Sequence, residues 1–514
     1  MGVDDKVTKP RRGSTRSQRT ASYRRSSPVA AGAPVGVVHL TAECWPYART
    51  GGLGEAVSGL AASQAKSGAP VTIVMPLYRL VREHGHVLER VGHQFSVSIG
   101  TRTEFAHVYR LADPAPGPAV YFIEHPNFFD RSGIYGDEGG DYADNAVRFA
   151  FFCKAALTAL PTIAPAAEVL HAHDWHTALA GAYLRTGFSD EPYYHRLATM
   201  LSVHNAGFQG HYAPQAMQLL GLAPELYHWK AFEWYDQVNV LKGGIAFSDM
   251  VATVSPTHAR ELCTPQGGFG LHDTFTALGD RLVGILNGID LDVWDPATDP
   301  HLTAHYDAQA LEGKRLSKAA LQQAYDLAVE PGTPLFGMSA RLVQQKGLDL
   351  VLRAASLSSV DAQFVFLGSG DHRYHEALRD LAAAYPDRVV AEFAFTDPLE
   401  HRLLAGADFL LMPSLYEPCG LTQMRAQRYG AIPIARAVGG LRDSVSDGDT
   451  GFLFDDYSPA ALDAAVTRVL DAFADRRRWR TLMHRAMTRP FGWDVSTAQY
   501  ATVYQRAISA RAAA

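Results

Sequence analysis

At 514 residues the chain is too long for one ordinary core and calls for at least two domains. Hydrophobic residues make up 47% and charged ones 19%, a globular mixture, and a net charge of -6 offers no electrostatic footprint for nucleic acid. The four cysteines (Cys44, Cys153, Cys263, Cys419) form no CxxC pair and suit a reducing compartment, and no uninterrupted apolar run approaches the roughly 18 residues of a membrane helix, so no membrane partner is expected.

The first 34 residues differ in kind. They carry Lys6, Lys9, Arg11, Arg12, Arg16, Arg19, Arg24 and Arg25 against only Asp4 and Asp5, with almost no large aliphatics. Such a segment cannot bury itself, and we read residues 1–34 as a disordered basic arm. It lacks the apolar core of a secretory signal. Its Arg- and Ser-rich, acid-poor composition is shared with organelle transit peptides. Two readings therefore stand, a solvated tail on a cytoplasmic protein or a plastid address.

From residue 35 short apolar runs alternate with helical ones. "VGVVHL" leads into "YARTGGLGEAVSGL", residues 47–60, where glycines bare the backbone as a strand becomes a helix. A helix start offers free N–H groups and positive dipole to a phosphate. A tight turn that needs glycine's freedom would look the same. Further strand-like runs follow at "PVTIVMP", "AEVLHAHDW", "ATMLSVHN", "DMVATVS" and "DRLVGILNG". Strands that are apolar throughout and separated by helices indicate a parallel sheet covered on both faces. "HAHDWH" sets His171, His173 and His176 in an H-x-H-x-x-H array, but the order of Asp174 and Trp175 departs from that of zinc hydrolases, and no metal is expected.

Dense turn residues at 287–300 mark a hinge, and Asp290 and Asp292 there form a D-x-D that we do not read as a metal site. The alternation then restarts in "PLFGMSARL", "AQFVFLGSG", "DRVVAEFAF", "ADFLLMPS" and "AIPIARA". The fold class is α/β, with two doubly wound, Rossmann-like domains at 35–290 and 300–488 facing each other across a cleft. Residues 489–514 are expected to form a helix returning to the first domain.

Ligands of such sheets sit beyond the strands' carboxyl ends. Arg341 and Lys346, in "SARLVQQKG", are two cations placed to hold a diphosphate and stabilise it as it leaves. Taken as a pair they could also be solvated surface charges. Glu417 follows a strand, Pro418 and Gly420 break the chain, and a helix starts near Leu421. A carboxylate beside such a terminus suits a ligand with hydroxyls at one end and phosphates at the other, which describes a nucleotide sugar. "FLGSGD" lacks the third glycine of a dinucleotide fingerprint, so Gly368 and Gly370 point to a nucleotide-edge turn and not to a nicotinamide cofactor.

Eight stretches, "RTGGLGEAVSGL", "HAHDWHTALA", "SVHNAGFQG", "VSPTHARE", "GILNGIDLDVWDP", "SARLVQQKG", "YEPCGLTQ" and "GGLRDSV", resemble in order and spacing the motifs of bacterial glycogen synthases and plant starch synthases, over roughly 35–507. The resemblance implies a GT-B fold and a retaining transfer of glucose from ADP-glucose to the non-reducing 4-hydroxyl of an α-1,4-glucan, without cofactor or metal. It assigns Arg341 and Lys346 to the diphosphate and Glu417 to the donor glucose hydroxyls. Cys419, Gly420 and Leu421 fall in the turn whose N–H groups meet the distal phosphate. His204 would lie near the anomeric centre, Asn205 and Asp174 would line the sugar pocket, and Phe395 would stack on adenine. Gly51 and Gly52 become the wall facing the donor. The family's glycine loop opens with lysine and ends with aspartate, where this chain has Arg49 and Glu55; both are expected at the donor, and selectivity for ADP-glucose over UDP-glucose is the property this departure touches. No carboxylate pair for double displacement is evident in the motifs. A same-face route, with the leaving oxygen helping to deprotonate the acceptor, is expected instead. The alternatives are a GT-B transferase for another donor or acceptor, and a non-catalytic sugar- or nucleotide-binding protein.

Overall fold

The computed structural model describes residues 1–2, 34–189 and 191–513. Apart from its two ends, the basic arm lies outside the described residues. Residues 35–514 form one compact unit.

Its first half is built on a nine-stranded sheet. The spatial order is Leu282–Gly284, Met250–Thr253, Ala198–Val203, Val169–His173, Val37–Leu40, Val71–Pro76, Ala119–Glu124, Arg102–Leu111, Leu88–Ile99. The first seven run parallel. Five of them, including Val37–Leu40 and Val169–His173, are buried along their whole length, as helices on both faces require. The last two strands form an antiparallel hairpin with a bulge between Val91 and Phe95. Gly100, at φ +55, makes its tight turn, where a side chain would also strike Gln218 O. This hairpin, and the strand Ala119–Glu124 it pairs with, were absent from the expected elements.

The second half is a six-stranded parallel sheet in the order Val389–Glu392, Gln363–Leu367, Leu335–Ser339, Phe409–Met412, Ile432–Arg436, Phe452–Phe454. Numbered along this half, that order is 3-2-1-4-5-6, the doubly wound dinucleotide-fold arrangement. It reverses between Leu335–Ser339 and Phe409–Met412. In the first sheet it reverses between Val37–Leu40 and Val169–His173. Both switch points face the same cleft.

Helix Asn145–Ile163 bears on the membrane expectation. It is 19 residues long and, by length and composition alone, apolar enough to cross a membrane. Arg148 and Lys154 interrupt its apolar run, which is why a search for uninterrupted runs passed over it. It is a core helix: Phe151, Phe152, Leu157 and Leu160 are buried in the first domain. The guanidinium of Arg148, fully buried, donates to Phe128 O at 2.7 Å, Asn145 Oδ1 at 2.5 Å and Ile134 O at 3.1 Å.

The chain crosses back at its end. Ile289 N donates to Phe491 O at 2.8 Å, and helix Trp493–Ala513 then lies on the first domain. Its Tyr500, Val503 and Tyr504 pack with Val37, Leu60, Val169 and Met250.

Candidate active site

The cleft encloses about 890 Å³, and every site residue assigned by the family resemblance lines it, from Arg49 and the glycine loop on one wall to Gly420 and Leu421 on the other; of the turn at 368–370 only Ser369 does. The loop after Val37–Leu40 is shaped by Glu43, a residue the motifs did not flag. Its carboxylate accepts from Thr50 N at 2.7 Å, Thr50 Oγ1 at 2.9 Å, Gly51 N at 3.3 Å and Tyr135 OH at 2.6 Å. Helix Gly52–Lys66 then starts without a side-chain cap.

The two readings of the glycines can now be separated. Gly51 has φ -165, extended backbone that any residue adopts. A Cβ on Gly51 would meet nothing within 4 Å, and one on Gly52 only Leu421 Cδ1 at 4.0 Å. The protein itself does not need these two glycines; the space they leave belongs to the cleft. Gly54 differs, since its Cβ would come within 3.0 Å of Arg49 Cβ. Gly52→Ala should therefore hold or raise thermal stability, alanine being favoured over glycine in helices by roughly 0.5–1 kcal/mol, while kcat/KM falls about tenfold or more as the methyl enters the space left for ligand. Melting and steady-state kinetics on the same preparation check both halves.

Asp174 and His204 stand at the carboxyl ends of neighbouring strands. Asp174 sits at φ +56, a left-handed conformation that costs energy for a non-glycine residue and concentrates at functional sites. Its Oδ1 accepts from His204 N at 2.6 Å and Asn205 N at 3.4 Å. Burial pushes its pKa up to about 7 against those hydrogen bonds, with the nearby Glu43 adding to the rise. Burial lowers the His204 pKa to about 4, so its ring is neutral. Asn205 Oδ1 accepts from Gly207 N at 2.9 Å.

On the opposite wall Arg341 follows Leu335–Ser339 and is exposed, its guanidinium having no hydrogen-bond or ion-pair partner among the described residues. Lys346 ends a short 3-10 turn and donates to Glu417 Oε2 at 2.6 Å, which also accepts from Ser414 Oγ at 3.1 Å. Gly420, at φ +70, could not be replaced without driving a Cβ onto Gln423. Cys419 is buried at the same turn, and helix Thr422–Arg428 starts one residue past Leu421. Phe395, 45% exposed, stands at the cleft edge beyond Val389–Glu392.

A chain of ion pairs spans the cleft. Arg49 stacks over Trp45 at 4.0 Å, pairs with Glu55, and donates through Nη2 to both oxygens of Asp397 at 2.6 and 2.7 Å. Glu55 pairs in turn with Arg425, which reaches Glu400 at 3.3 Å. The departures at positions 49 and 55 thus answer each other and also engage the second domain. Asp397 and Arg425 were missed, because their role exists only once two distant segments meet.

The H-x-H-x-x-H array does not assemble. His171 and His173 gather with His39, their nearest ligand atoms all within 4.8 Å of one another. Every ring nitrogen of the three already has a hydrogen-bond partner. His176 turns away and stacks on Tyr135 at 4.5 Å. Asp290 accepts from the backbone N–H groups of Asp292 and Val293, at 2.9 and 3.2 Å, as in an ordinary turn.

Comparison with known proteins agrees with this geometry. Residues 36–277 match the starch synthase catalytic domain family, and 323–481 match the glycosyl transferases group 1 family. The chain is 42% identical over 476 residues to a glycogen synthase of Anaeromyxobacter dehalogenans (strain 2CP-1 / ATCC BAA-258), covering 91% of this chain and 98% of that protein. It is 38% identical over 486 residues to a glycogen synthase of Thermodesulfovibrio yellowstonii, covering 92% and 98%. Among solved structures, the catalytic domain of starch synthase IV from Arabidopsis thaliana, bound to ADP and acarbose, superposes with a TM-score of 0.84 at 33% identity, over 93% of this chain and all of that one.

Proposed function

The chain belongs to the glycogen and starch synthase family of GT-B glycosyltransferases, which transfer a sugar from a nucleotide donor to a glucan acceptor, and from that premise we propose that this cleft transfers glucose from ADP-glucose to the non-reducing 4-hydroxyl of an α-1,4-glucan with retention of configuration, releasing ADP. The observation that carries the proposal is the pairing of walls. Two cations and a carboxylate (Arg341, Lys346, Glu417) face a bare helix start and a neutral histidine (Gly51, Gly52, His204).

In this reading Arg341 and Lys346 bind the diphosphate and take up the charge that develops as it leaves. Glu417 holds glucose hydroxyls, and the N–H groups around Cys419, Gly420 and Leu421 receive the distal phosphate. Phe395 stacks on the base, and Asp174 and Asn205 shape the sugar pocket. The state of the cleft carboxylates favours a same-face route. Of the six carboxylates that line the cleft, Glu43, Glu55, Asp397 and Glu417 are each engaged by donors or cations, and Asp141 is exposed to solvent. Asp174 has one oxygen, Oδ1, held by the N–H groups of His204 and Asn205. The leaving phosphate oxygen is then the group that assists deprotonation of the incoming hydroxyl. Closure of domains 35–290 and 300–488 about the 287–300 hinge, with 489–514 as a strap, would keep water from the donor. Such an enzyme works where its nucleotide sugar is made, in the cytoplasm, or in a plastid if residues 1–34 are an address.

The test is donor-resolved kinetics with glycogen, reading release of ADP against UDP. ADP-glucose should be preferred. Arg49→Ala should lower kcat by about 10²–10³-fold, the scale for removing one preorganised donor, with Arg49→Lys recovering most of it. Turnover with UDP-glucose alone would move the chain to a different donor class. An Arg49→Ala enzyme within about threefold of wild type would confine Arg49 to bridging Asp397.

A further inference from the structure

Behind the cleft, seven polar side chains are linked in single file through the first domain. His204 Nε2 meets His173 Nδ1 at 2.9 Å, and His173 Nε2 meets His39 Nδ1 at 2.9 Å. His39 Nε2 meets Gln64 Oε1 at 2.8 Å, and Gln64 Nε2 donates to Tyr504 OH at 2.9 Å. Tyr504 OH then reaches His171 Nδ1 at 2.8 Å, and His171 Nε2 reaches Ser202 Oγ at 2.7 Å. The file draws on strands Val37–Leu40, Val169–His173 and Ala198–Val203, on helix Gly52–Lys66 through Gln64, and on the returning C-terminal helix through Tyr504. All its members are buried except His204, which lines the cleft.

A neutral imidazole has one donor and one acceptor nitrogen, so each ring in such a file dictates the next. The four rings are neutral at ordinary pH. Burial holds His39 and His204 down at about 4, and burial together with neighbouring histidines holds His171 and His173 well below the usual range. The Gln64 amide sets the direction. Its oxygen can only accept, so His39 carries its proton on Nε2 and accepts at Nδ1. His173 must then donate from Nε2 and accept at Nδ1, and His204 must donate from Nε2. On the other branch the Gln64 NH₂ donates to Tyr504, Tyr504 donates to His171 Nδ1, and His171 donates from Nε2 to Ser202. All four rings thus adopt the Nε2–H form, the tautomer that an isolated neutral histidine side chain prefers. Reversal would require turning the amide and moving the proton on every ring to Nδ1.

We propose that Gln64, His39 and His173 are positioning residues that lock His204 in its Nε2–H tautomer, leaving Nδ1 as a lone-pair acceptor for a hydroxyl of the sugar in the cleft. The role of His204 toward sugar rests on the function proposed above; the tautomer does not. Neither His39 nor Gln64 touches the cleft, and neither was singled out from the sequence.

The experiment has two readouts on the full chain. Ring ¹⁵N spectra of histidine-labelled protein, with the His204 signals identified by their loss in His204→Gln, report the tautomer without any turnover. The expected result is a protonated Nε2 and a bare Nδ1. A protonated Nδ1 overturns the proposal. Kinetics with ADP-glucose and glycogen give the second readout. Gln64→Leu should lower kcat about tenfold or more with KM for the donor little changed, and should mix the His204 tautomers. Gln64→Glu, which still accepts from His39, should keep near wild-type kcat. Equal losses in both variants, or a pure Nε2–H signal in Gln64→Leu, would reduce Gln64 to a packing residue and overturn its positioning role. If His204→Gln turns over like wild type, the sugar-facing role of His204 falls while the ¹⁵N result still judges the lock.

Discussion

Glu417→Ala should lower kcat/KM by at least about 10²-fold in a chain that stays folded. Glu417 lies five residues past Phe409–Met412, at the switch point of the second sheet, and is 5% exposed. One of its oxygens already holds Lys346 and Ser414. A hydrogen bond from a sugar hydroxyl to this charged group contributes roughly 1.5–3 kcal/mol, and truncation also releases the Lys346 ammonium from its aim. The two losses fall on one reacting geometry, so the combined effect exceeds either alone. Stability should change little, because Lys346 keeps partial access to water, 18% of its side chain being exposed. Glu417→Gln keeps shape and one acceptor but not charge, and should fall between the two enzymes. Steady-state kinetics with ADP-glucose and glycogen, beside thermal melts, measure this. A Glu417→Ala enzyme within about threefold of wild type would remove Glu417 from the site.

What could be read from sequence divides along a physical line. Strands such as Val37–Leu40 and Leu335–Ser339 are buried on both faces, so they appear as unbroken apolar runs between helices, and each was legible. The pair Leu88–Ile99 and Arg102–Leu111 lies at a sheet edge with one face wet. Its apolar residues alternate with Glu89, Arg90, His93 and Glu104, and that pattern is lost to a search for continuous runs. Phe452–Phe454 is only three residues long, too short to show any period. The site follows the same division. Residues that the family motifs assign to the donor and acceptor could be named, and all of them line one cleft. Glu43 was within reach, since it lies three residues past a strand's carboxyl end. Asp397, Arg425 and Gln64 were not. Their partners, Arg49, Glu55 and His39, are 348, 370 and 25 residues away, and nothing local in the chain announces the meeting. The histidine array shows the converse error. His171, His173 and His176 are neighbours in sequence, but the period-two strand continues only through His173. Helix Asp174–Thr186 then carries His176 to another face.

Acidification should unfold the first domain steeply, with stability beginning to fall just below pH 6.5. Four buried histidines, His39, His171, His173 and His176, and the half-buried His204 are neutral in the native state. Burial lowers His39 and His204 to about 4 and His176 to about 3, the last with Arg148 adding to the shift. His171 and His173 are held well below the usual value. The unfolded chain protonates these groups near 6.5, so each contributes stability that is complete above that pH and is lost as pH falls toward its folded value. Asp174 acts in the opposite sense. Its folded pKa, raised from 3.8 to about 7, makes its contribution complete below 3.8 and lost as pH rises through 7, so it offsets one proton in the same window. Near pH 5 the unfolded state thus binds up to about four more protons than the native one, at about 1.4 kcal/mol per proton per pH unit. A domain stable by about 10 kcal/mol would reach its midpoint within about two pH units of 6.5. Surface ion pairs cannot produce such a slope, since an exposed pair contributes only about 0–1 kcal/mol in total. Denaturant melts at a series of pH values give the number of protons directly from the change of stability with pH. His176→Phe, which keeps a ring against Tyr135, should reduce that number by about one and move the acid midpoint down. A wild-type slope of one proton or fewer between pH 6 and 5 would mean that these histidines are already charged in the folded protein.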